Sequence, residues 1–194
     1  ERDVYFESVH VMTYQLLHSP SARRSSSSSS SMSSSSSSMS SSKKIDFVVL
    51  VTNEVTAPKK ARLEKDGATV VVVDRLISEW MTPKTGRWQD CLTKLRLLKM
   101  TQYGKITFID VDHLITQSLD GVFDDPAAAV QHTVVNASVV AEAPLPDTYV
   151  FAARPEAAGG YGHVNPPPEG NYFNAGFFVL KPDERMLEYY EELM

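Results

Sequence analysis

Cysteine is almost missing from this chain: Cys91 is its single thiol, which excludes an internal disulfide framework and leaves the redox compartment open. No run of 18 apolar residues occurs, so the sequence encodes no membrane-spanning helix. Basic residues are not in excess either. With 19 Lys and Arg against 24 Asp and Glu the net charge is −5, so nucleic-acid binding has no electrostatic support, and an anionic substrate would need a local cation or a metal. The five histidines, His10, His18, His113, His132 and His163, show no paired metal-ligand spacing, and nothing beside Cys91 suggests nucleophilic catalysis. What remains is a chain of 194 residues, 42% hydrophobic, long enough for one sizeable domain with a real core. Its first residue is Glu1, so a signal or anchor could precede it; a cytoplasmic setting is expected, with the Golgi or secretory lumen as the alternative, where the sequon at Asn136 would gain meaning.

Residues 25–42 are serine throughout apart from Met32 and Met39. Such a composition buries too little apolar surface to offset backbone ordering, which predicts a flexible insert, with a phosphorylated regulatory segment as the functional alternative. Three stretches follow: 1–24, 25–42 and 43–194. In the first, Val9, Met12, Leu16 and Leu17 recur at helical spacing and Pro20 closes the run. In the third, a strand is expected over 47–52, a charged helix over 58–66 ending at Gly67, a strand over 69–73, and a helix over 89–100 with Leu92, Leu95 and Leu98 inward. A strand over 106–109 comes next, then a proline-interrupted region, strands over 148–152 and 172–180, and a helix over 182–194. Alternating elements at these spacings predict an α/β fold with a mostly parallel sheet covered by helices, where ligands gather beyond the carboxyl ends of strands.

Asp110 and Asp112 stand at such an end, after the apolar run Ile106-Thr107-Phe108-Ile109. Residues i and i+2 of a strand share a face and lie about 6.6 Å apart along it, so both carboxylates can converge on one ion while Val111 points away. Mg²⁺ or Mn²⁺ held by one or two carboxylates normally completes its shell with substrate phosphate, which makes this pair a candidate metal-diphosphate site.

The run Thr93-Lys94-Leu95-Arg96-Leu97-Leu98-Lys99-Met100-Thr101-Gln102-Tyr103-Gly104-Lys105 leading into Ile106 to Asp112, then Leu119-Asp120-Gly121-Val122-Phe123, then Tyr172-Phe173-Asn174-Ala175-Gly176-Phe177-Phe178-Val179, stand in one order. Together they resemble the glycogenin and galactinol-synthase family of glycosyltransferases, family 8, with its nucleotide-sugar-binding GT-A fold. The resemblance implies transfer of a hexose from a UDP-sugar to a hydroxyl acceptor, with retention at the anomeric carbon and Mn²⁺ or Mg²⁺ as cofactor. Carried onto this chain, Asp110 and Asp112 would bind the metal and Val111 would lend backbone contacts to the donor ribose. Lys94 would reach the donor sugar or phosphate; Asn174, Ala175 and Gly176 would meet the donor sugar. Tyr5, within a segment similar to the end of the family's nucleotide loop, would pack on uracil, and Arg87 would be a donor-side cation.

The same resemblance implies a chain cut at both ends. The family's first strand would lie before Glu1, and its Asp-Gln motif and late His, Gly and Lys cluster would lie beyond Met194. A catalytically silent GT-A-like binding or scaffold module is therefore the second reading. A sugar nucleotidyltransferase would need a glycine-rich phosphate loop, and the sequence shows none.

Overall fold

The computed structural model describes residues 3–19, 45–78, 90–134, 143–155 and 173–194. The serine insert, Arg87 and the sequon at Asn136 lie outside them. The chain divides into two compact units, one of Glu1–Val72 with Val111–Asp120 and one of Val73–Asp110 with Gly121–Met194.

In the first unit, α1 (Val4–His18) opens on Asp3, whose side chain accepts from the Phe6 N–H at 3.0 Å and satisfies one of the donors a helix start leaves unpaired. Strands β1 (Val48–Val51) and β2 (Thr69–Val72) pair in parallel, Val48 opposite Thr69, with α2 (Ala57–Lys65) as the crossover between them. Val51, Leu63 and Ala68 form the buried core, and Phe6 and Val9 of α1 pack against it. The end of α2 is a Schellman turn: the Gly67 N–H donates to the Glu64 carbonyl at 3.0 Å and the Ala68 N–H to the Leu63 carbonyl at 3.1 Å. Gly67 has φ +103°, a conformation that side-chain-bearing residues avoid.

In the second unit, β3 (Ile106–Ile109), β7 (Phe173–Leu180) and β6 (Phe151–Pro155) form a sheet in the order β3-β7-β6, every pairing antiparallel. One face carries Ala128, Val150 and Val179 as a buried cluster with Val122 and Ala152. The Lys105 ammonium donates to the carbonyls of Phe123 (2.7 Å) and Ala128 (2.8 Å) and ties that covering segment to the start of β3. Short strands β4 (Gln131–His132) and β5 (Thr148–Tyr149) pair separately. Helix α3 (Glu184–Leu193) buries Leu187 and is capped by Asp183, which accepts from the Arg185 N–H at 3.1 Å.

Three expectations need correction. Among the described residues parallel pairing is confined to β1 and β2, so the class is α/β but the sheets are small and mixed rather than mostly parallel. Apolar strand runs carry no sign of direction, and β7 returns against β3. The strand expected over 148–152 breaks at Val150, which is buried and whose carbonyl accepts from the Lys181 N–H at 3.1 Å; β5 thus pairs with β4 while β6 pairs with β7. The expected α-helix over 89–100 is a 3-10 helix, Cys91–Lys99, which buries Thr93, Leu97 and Leu98 and leaves Leu92 and Leu95 half-buried. Among the described residues no helix is long and apolar enough to cross a membrane.

Two outcomes follow from these turns and caps. Gly67→Ala is expected to cost about 1–3 kcal/mol in urea denaturation, because the positive φ is retained while a side chain is added; the contact a Cβ would make, 3.1 Å from Leu17 Cδ1, is with a flexible tip that can yield. Asp183→Ala should cost about 1 kcal/mol at neutral pH. The Arg185 guanidinium and the capped N–H hold the Asp183 carboxyl below the usual carboxylate range. A depressed folded value means the stabilisation is complete above the unfolded value near pH 4 (about 3.9) and disappears as pH falls through the lower folded value, so the gap between wild type and D183A should close in acid.

Candidate functional site

The second unit brings five of the expected site residues together. Lys94 lies in the 3-10 helix, Asp110 just past β3, and Asn174, Ala175 and Gly176 in β7. Antiparallel pairing sets Ile109 opposite Phe177, and the ladder runs one bond further: the Asp110 N–H donates to the Gly176 carbonyl at 2.7 Å. This bond brings the backbones of the two motifs into contact. The Lys94 ammonium then spans them, donating to Asp110 Oδ2 at 2.8 Å and to the Ala175 carbonyl at 3.0 Å.

Beneath the ammonium lies the Phe108 ring, 4.8 Å from Nζ to the centroid, a cation–π contact that sequence reading missed. Its signal was present in the period of two, which puts Phe108 on the same strand face as its cross-strand partner Phe178; the rings stack at 5.0 Å. The side chains of Lys94 and Asp110 are 21% and 37% exposed, so the pair is half-buried. Gly176 is buried, and its N–H donates to Asn174 Oδ1 at 2.8 Å. With that oxygen accepting, the Asn174 amide keeps its NH₂ group as the donor to offer a ligand.

The remaining candidates are arranged otherwise. Val111 and Asp112 form a turn, so the strand does not continue through the acidic pair and its period-two alternation ends at Ile109. Both residues belong to the first unit, where they line a hollow of about 370 Å³ together with Val4, Ser8, Val11 and Leu114. The Asp112 side chain is 83% exposed, and His113 Nδ1 lies 3.3 Å from its Oδ1. His113 showed no paired metal-ligand spacing in the sequence; its position next to Asp112 was the only cue. Tyr5, expected in a loop, lies in the first turn of α1, is 71% exposed and is not among the residues lining the hollow. Arg87 lies outside the described residues.

Among the described residues no group of three or more His, Cys, Asp or Glu could hold a metal ion. The sequence-expected ligands Asp110 and Asp112 are both hard oxygen donors, one in each unit. Carboxylates of this kind are the ligand type that Mg²⁺ or Mn²⁺ takes, one or two at a time, with water and phosphate in the remaining positions.

No family model matches the chain. It is 27% identical to an uncharacterized protein of Schizosaccharomyces pombe over 95% of its own length and 52% of the relative's. Over shorter stretches it is similar to glycosyltransferases: 29% identical to a putative UDP-glucuronate:xylan alpha-glucuronosyltransferase 3 of Arabidopsis thaliana, covering 54% of this chain and 17% of that protein, and 34% identical to glycogenin-1 of Caenorhabditis elegans, covering 40% and 19%. The chain spans about half the length of the full-coverage relatives it matches.

The Asn174 contact is testable on its own. Asn174→Ala should speed hydrogen exchange of the Gly176 amide, whereas Asn174→Asp, which keeps an accepting oxygen, should leave it protected; NMR of the labelled protein reads both.

Proposed function

We propose that the chain is the donor-binding part of a glycosyltransferase of the glycogenin and galactinol-synthase kind, with a GT-A fold, that moves a hexose from a UDP-sugar to a hydroxyl acceptor with retention. The observation that carries this reading is the Lys94 ammonium bonded at once to Asp110 and to the Ala175 carbonyl, residues 16 and 81 positions away in sequence. Sequence resemblance picked out these three segments separately, and the fold joins them through one cation. Similarity to glycosyltransferases over 40–54% of the chain supports the same class.

Asp110 and Asp112 would hold Mn²⁺ or Mg²⁺. Bound there, the metal would supply charge neutralisation for the donor diphosphate. Lys94 adds a second positive charge. An ammonium has three N–H donors, and Asp110 and Ala175 take two of them among the described residues, which leaves one for a diphosphate oxygen or a sugar hydroxyl. The Asn174 NH₂ group would hold a hydroxyl of the donor sugar, and Gly176 keeps the backbone bare of a side chain where the sugar approaches.

In the transfer itself the bond from C1 of the sugar to the diphosphate oxygen breaks, and the acceptor oxygen bonds to C1 on the same face. The acceptor proton passes to the leaving diphosphate oxygen. Lys94 stabilises that oxygen as negative charge builds on it. Catalysis then rests on positioning and electrostatics, with no covalent enzyme intermediate.

The charges also set the expected binding behaviour. A divalent ion alone would place its charge close to an ammonium that shares the Asp110 carboxylate, so the metal should bind weakly by itself and tightly with UDP. Calorimetric titration of the full-length protein should show this cooperativity, and Asp110→Asn or Asp112→Asn should each abolish metal-dependent UDP binding. Lys94→Ala, losing a charge-assisted hydrogen bond of about 1.5–3 kcal/mol, should weaken it roughly ten- to a hundredfold. Unchanged UDP binding in both aspartate variants would remove the metal-donor site. Intact binding without turnover of any UDP-sugar would leave a binding module in place of the enzyme.

A further inference from the structure

Nine residues of 3-10 helix is long for a geometry that rarely persists beyond three or four, so something outside the helix holds Cys91–Lys99 in it. Three residues per turn put positions i, i+3 and i+6 in one straight row, and the row Asp90, Thr93, Arg96 is tied to three consecutive residues of the preceding segment. Arg75 Nε donates to Asp90 Oδ1 at 2.6 Å, the Leu76 N–H donates to Thr93 Oγ1 at 3.2 Å, and Arg96 Nε donates to the Asp74 carbonyl at 3.2 Å. Arg96 also binds α3, its Nη1 lying 2.7 Å from Glu191 Oε1, and its side chain is only 17% exposed. Thr93 is 9% exposed.

Lys94 follows Thr93 by one residue, about 120° around a three-per-turn helix. The row therefore faces one direction and Lys94 another, and fixing the row fixes the rotation of the helix about its axis. Relaxation of this stretch toward 3.6 residues per turn would break the alignment with residues 74–76 and carry the root of Lys94 around the axis.

We infer that Thr93 and Arg96 are positioning residues: by locking the rotation and the 3-10 geometry of the helix, they hold the Lys94 ammonium against Asp110 and the Ala175 carbonyl. Both act through Lys94. The consequence for donor binding rests on the reading of Lys94 given above; the consequence for Lys94 itself does not.

The test has two arms, both on the full-length protein. In the first, without any donor, the rate at which an amine-reactive reagent labels each lysine is followed by mass spectrometry in wild type, Arg96→Ala, Arg96→Lys and Thr93→Val. Lys94 is expected to label several-fold faster in R96A and T93V. Lys105, held by two other carbonyls, should be unchanged, and R96K should restore part of the protection. If R96A accelerates every lysine alike, that variant has lost its fold and T93V, nearly isosteric, decides. Lys94 reactivity equal to wild type in a folded T93V and in R96A would overturn the inference.

In the second arm, UDP binding with Mn²⁺ is measured in a double-mutant cycle. Arg96→Ala should weaken binding in the wild-type background and have no further effect in Lys94→Ala, whereas equal effects in both backgrounds would overturn positioning through Lys94. A wild-type protein that binds no UDP would sink the donor reading and leave the labelling result standing.

Discussion

One ammonium group organises the candidate site. Lys94 sits where a 3-10 helix, the end of one strand and the middle of another come together, and it is bonded to the last two of these at 2.8 and 3.0 Å. A half-exposed ion pair contributes little to stability, since water screens it and two side chains lose freedom in making it. Its importance is geometric. Two directed bonds and the Phe108 ring beneath place the positive charge at one point, and Asp110 and the Asn174–Gly176 stretch are aligned to the same point by the backbone bond from Asp110 to Gly176.

The β3-β7-β6 sheet makes that arrangement possible. Its buried cluster of Ala128, Val150 and Val179 secures one face, and on the other Phe108, Phe178 and Phe151 form a row of aromatic contacts, with centroids 5.0 and 5.8 Å apart. Side chains in such a row have few rotamers and many neighbours, so the strands that position Asp110 and Ala175 start from a stiff base. Binding of the proposed charged, flexible donor would gain from this, because less ordering would remain to be done when the ligand arrives. The first unit is built on a different plan, a parallel strand pair with helices packed on it, and its own hollow against α1 is lined in part by Asp112.

The legible parts of the fold were those with strong local causes. Apolar runs with β-branched residues gave the positions of β1, β2 and β3 to within a residue or two, and Gly67 marked the end of α2 because only glycine takes its φ without strain. Helix α3 was visible in the spacing of Met186, Leu187 and Tyr190, though its start was set by the Asp183 cap rather than by Pro182. Less legible was anything decided by a distant partner. Residues 91–99 carry an ordinary helical pattern, and it is the row of contacts to residues 74–76 that winds them tighter. The change of partner at Val150 and the antiparallel course of β7 leave no trace in hydropathy, which records burial and not direction.

By itself the sequence determined which functional groups are on offer: two carboxylates one residue apart, a lysine sixteen positions before the first of them, and an Asn-Ala-Gly stretch. Side-chain chemistry is a property of the residue and survives any fold. Only the tertiary structure decided that Lys94, Asp110 and Ala175 meet in one bonded group and that Val111 and Asp112 leave the strand in a turn. Those outcomes depend on hydrogen bonds and packing between segments far apart in the chain, and no local pattern encodes them.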